Sequence, residues 1–95
     1  MLINFILCED KQVILNSIRT SLEKAIEQNG INAVISLATD NPRRIIEYSR
    51  QYAQGVNAYF LDINLEQSMN GLELAKQIRN YDPHCYITFI TGHPE

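Results

Sequence analysis

The feature that most limits the fold of this chain is an alternation. Four short apolar runs are separated by three longer stretches of helical periodicity. The first run, Ile3 to Cys8, reads as a buried strand. A helix is expected from Lys11 to Gln28, with Ile14, Ile18, Leu22 and Ala25 on one face, widened by Leu15 and Ile26. Its other side carries Lys11, Asn16, Arg19, Glu23, Lys24 and Glu27, and Asn29-Gly30 stop it. Asp10 is expected to cap its N-terminus.

Ile31 to Ala38 reads as the second strand. Asn41 as N-cap and Pro42 in the first helical position open a helix running to Ala53, with Ile45, Ile46, Ser49, Tyr52 and Ala53 inward. Ala58 to Leu61 is the third strand and ends on Asp62. A polar loop follows from Ile63 to Asn70, and Gly71 opens a helix to Tyr81. The last strand is Tyr86 to Ile90. Strict strand–helix alternation implies a parallel α/β sheet with right-handed helical crossovers.

At 95 residues this is at most one domain, 1–95, with a modest core. Eight basic against eleven acidic side chains leave a net charge of −3. No basic patch argues for this segment gripping nucleic acid. The N-terminal apolar run is too short to span a membrane and meets Glu9-Asp10 at once, so it reads neither as a span nor as a signal peptide. Cys8 and Cys85 make no metal or disulfide pattern. They fall at opposite ends of a parallel sheet, whereas a bridge needs Cα atoms within about 7 Å. A reducing cytoplasm is the simplest setting.

In sheets of this kind, sites form beyond the carboxyl ends of the strands. Glu9, Asp10, Asp62 and Thr91 all fall there. An apolar strand cannot hold an unpaired carboxylate in its core, so Asp62 is expected where the strand emerges. If the first and third strands are neighbours, Glu9, Asp10 and Asp62 converge. Three carboxylates together repel one another, and a hard divalent ion such as Mg²⁺ resolves the repulsion. An Asp beside Mg²⁺ can accept a phosphoryl group, with the Thr91 hydroxyl donating to a phosphoryl oxygen. Taken singly, an acidic pair before a helix is often only a cap, and a Thr at a strand end only a β-former. Together, each in its proper element, they are hard to attribute to coincidence. A nucleotide-binding loop is excluded, because no Gly-rich turn follows the first strand.

In these features the chain resembles the receiver domains of two-component response regulators. Within that family it is most similar to the AgrA-like regulators of peptide-pheromone quorum sensing, which carry a LytTR-type DNA-binding domain. The stretches concerned are Phe5 to Asp10, Leu37 to Pro42, Tyr59 to Leu65, Asn70-Gly71 and Phe89 to His93. The loop after Asp62 lacks the Pro common in other receivers and is one residue longer, as in that subgroup. The resemblance implies a flavodoxin-like (CheY-like) doubly wound sheet of order 2-1-3-4-(5). It implies Asp62 as phosphoacceptor and Thr91 as switch hydroxyl. Glu9, Asp10, Asp62 and the backbone carbonyl of Asn64 would be the Mg²⁺ ligands. It also implies a sensor histidine kinase as partner and a signalling role rather than turnover catalysis.

By the same resemblance, the last strand and the last two helices of a receiver are missing, and with them a phosphoryl-binding Lys. Neither Lys11 nor Lys76 replaces it. An uncovered last strand is expected to drive a homodimer or a strand-swapped oligomer, with DNA reached only through a C-terminal domain not in these residues. Two other readings compete: a Mg²⁺-dependent phosphotransferase or phosphatase with an aspartyl intermediate, and a non-phosphorylated interaction module. The first wants Asp-x-Asp on the first strand, which Glu9-Asp10 does not provide. His84 and His93 read as turn residues, Tyr48, Tyr52 and Tyr81 as core-edge packing, Arg43-Arg44 as solvated, and Glu66 and Asp82 as loop acids without a task.

Overall fold

The computed structural model describes residues 1–65 and 69–90. The elements follow in the expected order: β1 (Ile3–Cys8), α1 (Gln12–Asn29), β2 (Ala33–Thr39), α2 (Pro42–Gln51), β3 (Val56–Asp62), α3 (Gly71–Tyr81) and β4 (Tyr86–Ile90). All pairings are parallel, and the sheet order is β2-β1-β3-β4. The chain steps from β1 to β2 in one direction, then crosses back past β1 to β3. With right-handed crossovers this places α1 on one face and α2 and α3 on the other.

Side-chain alternation divides the strands between the two faces. Ile6 and Cys8 of β1 and Tyr59 and Leu61 of β3 join Ile45 of α2 and Leu74, Ala75 and Ile78 of α3 in one buried cluster. Leu7, between Ile6 and Cys8, is also fully buried and points to the α1 face. Fully burying a Leu or Ile contributes roughly 1.5–3 kcal/mol, so Leu74 and Ile78 hold α3 firmly. Along its 18 residues α1 buries only Leu15 outright. The expected stripe of Ile14, Ile18, Leu22, Ala25 and Ile26 is half-buried, and Val13 is 82 % exposed.

Several boundaries differ from expectation, each for a local reason. β2 starts at Ala33 rather than Ile31, because the Gly30 and Ile31 N–H groups both donate to the Ile26 carbonyl in closing α1. Gly30 takes a left-handed φ of 60° there, the conformation glycine supplies most cheaply. α2 stops at Gln51 rather than Ala53. The Tyr52 N–H still donates to the Tyr48 carbonyl, but the Tyr52 carbonyl then accepts from the Gly55 N–H and the Asn57 amide. Tyr52 is therefore half-exposed rather than inward. β3 begins two residues early, with Val56 opposite Ile3 of β1.

Two helix starts use an asparagine. The Asn41 side chain accepts from the Arg43 N–H at 3.0 Å, ahead of Pro42. Asn70 accepts from the Glu73 N–H at 2.9 Å at the start of α3. The cap expected from Asp10 does not form. Lys11 is the N-cap residue of α1, with no side-chain cap, and its N–H is taken by Glu9 Oε2 at 3.0 Å. Cys8 and Cys85 are free and buried, at opposite ends of the sheet as expected. Among the described residues no helix is long and apolar enough to cross a membrane.

Candidate functional site: an acidic cluster at the strand ends

The β1–β3 register runs from Ile3 opposite Val56 to Cys8 opposite Leu61. It carries both strands to the same edge, so the residues just beyond meet. Glu9 continues the β1 direction and donates its N–H to the Thr39 carbonyl of β2 at 3.1 Å. Asp62 is the last residue of β3 and pairs with Ile90 of β4. One carboxylate oxygen each of Glu9, Asp10 and Asp62 lies within 4.8 Å of the other two.

The convergence expected from the sequence is thus present, but Asp62 is more enclosed than expected. Its residual exposure is 0 %, and that of Glu9 is 1 %. Asp10 is half-buried. Each enclosed acid has one oxygen satisfied and one left over. Asp62 Oδ1 accepts from the Asn64 N–H at 3.0 Å, and Glu9 Oε2 from the Lys11 N–H. Asp62 Oδ2 and Glu9 Oε1 are buried with no donor among the described residues. Leaving such atoms unmet costs about 1–3 kcal/mol each, more when charged. Burial, reinforced by the neighbouring Asp10 and Asp62, pushes the Glu9 carboxyl up to about 7, against the smaller opposing effect of the Lys11 N–H.

A small hard cation fits this donor set. Each of the three groups offers a carboxylate oxygen within 4.8 Å of the other two, and Glu9 and Asp62 each keep a buried oxygen that no donor among the described residues meets. Asn64 is exposed, and its N–H faces the Asp62 carboxylate. Thr91, expected at this edge, lies outside the described residues, as do Glu66 and His93. Cys8, just below the cluster, is buried, and burial first, then Glu9 and Asp10, push its thiol up to about 12.

The sequence reading missed a second polar cluster, at the opposite end of β3. Asp82 is not an idle loop acid. It is 3 % exposed, and its Oδ2 accepts from Asn57 Nδ2 at 2.9 Å and from the Tyr59 hydroxyl at 3.3 Å. Asn57 Nδ2 also donates to the Tyr52 carbonyl at 2.8 Å, and its Oδ1 accepts from the Tyr48 hydroxyl at 3.4 Å. The signal available was Asn57 itself, a polar residue on the core-facing parity of a strand whose next two inward positions are Tyr59 and Leu61. A cleft of about 430 Å³ also lies toward this end, between α2 and the β1–β2 edge, with Asn4, Ser36, Arg44, Tyr48 and Tyr52 on its walls. It is remote from the acids, and volume alone does not place chemistry there.

The profile of the response regulator receiver domain matches residues 5–95. Accessory gene regulator protein A of Staphylococcus aureus (strain N315) is 35 % identical over 89 residues, covering 94 % of this chain and 37 % of that protein. Its counterpart in Staphylococcus epidermidis (strain ATCC 12228) is 44 % identical over 61 residues, covering 64 % of this chain and 25 % of that protein. The chain therefore spans between a quarter and two fifths of these relatives. Among solved structures, a response regulator receiver protein from Sinorhizobium medicae WSM419 superposes with a TM-score of 0.74 at 22 % identity, over 98 % of this chain and 68 % of that one. The receiver domain of a modulated diguanylate cyclase from Desulfovibrio desulfuricans G20 gives 0.74 at 18 %, over 97 % and 66 %. Parallel order, acid placement and sequence agree: this chain belongs to the response regulator receiver domain family of two-component signalling.

Proposed function

We propose that Asp62 is the phosphoacceptor of this receiver, and that Glu9, Asp10, Asp62 and the Asn64 carbonyl hold Mg²⁺. The observation that carries the reading is the pair of buried oxygens, Asp62 Oδ2 and Glu9 Oε1, that no donor among the described residues meets. Evolution toward stability alone would pair or remove them. In the transfer, an Asp62 carboxylate oxygen attacks the phosphorus of a phosphohistidine. The O–P bond forms, the N–P bond breaks, and the imidazole nitrogen keeps the electron pair and takes up a proton. Mg²⁺, when bound, offsets the charge that the carboxylates and the phosphoryl oxygens bring together. The chain's own contribution is positioning: the Asn64 N–H fixes Asp62 Oδ1, and the Lys11 N–H fixes Glu9 Oε2. Thr91 supplies the hydroxyl that reports the phosphoryl group.

The donor in this reading is a sensor histidine kinase, and the parent protein is an AgrA-like quorum-sensing regulator acting in the cytoplasm, with DNA contacted through a LytTR-type domain. Similarity to the staphylococcal regulators over 94 % of this chain supports it. The 95 residues are read as the N-terminal part of one receiver domain, since they cover about two thirds of the solved receivers they match. Within these residues β4 is the edge strand, with Tyr86 67 % and Phe89 41 % exposed. We propose that the 95-residue chain associates through that edge into a homodimer or a strand-swapped oligomer. A monomer mass at every concentration in light scattering would overturn that association.

Phosphoryl acceptance is tested with acetyl phosphate and Mg²⁺, on this chain and on a chain extended to the length of the receivers it matches, read by intact mass. One added phosphoryl group, absent from Asp62→Asn, is the expected result. An adduct that persists in Asp62→Asn, or none on the extended chain, overturns the assignment.

A further inference from the structure

We infer that Gly71, the first residue of α3, is a positioning residue for the acidic site: its missing side chain lets α3 seat directly against the Asp62–Ile63 peptide and so sets how Asp62 and Asn64 are presented. The inference rests on the functional reading above.

The contact is backbone to backbone. A Cβ on Gly71 would fall well inside contact distance of the Asp62 carbonyl oxygen, 2.9 Å from Ile63 Cα and 3.1 Å from the Asp62 carbonyl carbon. None of these atoms belongs to a flexible side chain that could swing away. The Gly71 N–H also donates to the Ile63 carbonyl at 3.4 Å. On its far side the same short segment is fixed to β4, where the Ile63 N–H donates to the Ile90 carbonyl at 3.1 Å. The turn that carries Asp62 is thus held between α3 and β4.

A side chain at position 71 must displace one partner. α3 cannot retreat cheaply, because Leu74, Ala75 and Ile78 are buried in the core and Asn70 fixes its first turn. The peptide moves instead. Asp62 Oδ1 is tied to the Asn64 N–H only two residues on, so a shift of that peptide reaches both the carboxylate and the Asn64 carbonyl. Groups that orient ligands in this way typically cost 10–100-fold in metal affinity when disturbed.

Gly30 is the control. A Cβ there meets nothing within 4 Å, but its φ of +60° strains any other residue. Gly30→Ala should therefore lose stability without touching the site. Mg²⁺ affinity is measured by calorimetric titration on the full-length protein, for wild type, Gly71→Ala and Gly30→Ala, with folding checked by circular dichroism. The expected result is a Mg²⁺ affinity weakened at least tenfold in folded Gly71→Ala and unchanged in Gly30→Ala. Wild-type affinity in Gly71→Ala, or an equal loss in Gly30→Ala, overturns the inference.

A second measurement needs no variant. On titrating Mg²⁺ into the wild type, the Gly71 amide resonance should move together with those of Asp62 and Asn64, while those of Gly30 and Gly55 stay still. A stationary Gly71 amide beside moving Asp62 and Asn64 resonances overturns the inference even if Gly71→Ala fails to fold. A wild type that takes up neither Mg²⁺ nor a phosphoryl group overturns the functional reading, and this inference with it.

Discussion

Polar clusters are buried at both ends of β3, and they are built on opposite plans. At the C-terminal end three carboxylates face one another, and two buried oxygens have no donor among the described residues. At the N-terminal end one carboxylate, Asp82, receives the Asn57 amide and the Tyr59 hydroxyl, and Asn57 in turn receives Tyr48. Burial, and then the Asp82 charge, push the Tyr59 hydroxyl far above its ordinary pKa, so it stays a donor. The satisfied cluster joins the end of α2, the start of β3 and the residue closing α3. In the other, Asp62 Oδ2 and Glu9 Oε1 are left without a donor among the described residues. Burial of charge is therefore no guide to role by itself. What separates the two ends is whether the chain supplies the partners.

The comparison breaks most visibly on substitution of the two aspartates. Asp62→Asn should abolish the phosphoryl adduct outright and, without metal, raise the melting temperature, because it removes a fully buried carboxylate that faces two other carboxyl groups. Asp82→Ala should do the reverse. It strips the Tyr59 hydroxyl and one Asn57 hydrogen of their acceptor and should cost roughly 2–4 kcal/mol in a denaturant titration, while the folded protein still takes up phosphoryl. If both substitutions lower stability equally, the distinction between a working and a structural cluster fails.

A metal titration sharpens the same contrast. Mg²⁺ at 100 times its dissociation constant should stabilise the wild type by about 2.7 kcal/mol. Asp62→Asn should lose most of that increment. Asp82→Ala should keep it, since distant sites with no shared partners act additively. Scanning calorimetry with and without Mg²⁺ reads all three, and a lost increment in Asp82→Ala would mean that the two ends are coupled.

The sequence made the C-terminal cluster legible and the N-terminal one not, and the reason is physical. Glu9, Asp10 and Asp62 each end an apolar run, so periodicity locates them, and the α/β alternation says that strand ends converge. The bounds of α3 and β4 were equally plain, since Gly71 and Asp82-Pro83 bracket one and a compact run marks the other. Asp82 sits in Asp-Pro-His, a stretch that reads as a turn whatever its side chain does. Only the tertiary crossing that brings the end of α3 beside Asn57 shows that the Asp82 side chain is buried there. The missed cap has a similar origin. Asp10 has the right type, but the helix starts one residue later than its place requires, with Lys11 as the N-cap residue. The weak burial of α1 could not be read either, because periodicity shows which face is apolar and not how much sheet lies beneath it.

The smallest tests are within the satisfied cluster and ask whether its bonds are unequal. Tyr59→Phe removes a donor to Asp82 from a fully buried position and should cost about 1 kcal/mol. Tyr48→Phe removes a donor to Asn57 at 3.4 Å, at the outer limit of a hydrogen bond, from a half-buried ring at the edge of the α2 cleft. Its cost should stay within about 0.5 kcal/mol, because water can replace the lost donor at that edge and the ring packing is kept. The double variant then decides whether this is a network or two separate contacts. Asn57 lies between the two hydroxyls, so coupling through it would make the double variant differ from the sum of the singles by more than about 0.5 kcal/mol. Simple additivity would leave the Tyr59–Asp82 and Tyr48–Asn57 hydrogen bonds as two separate contacts.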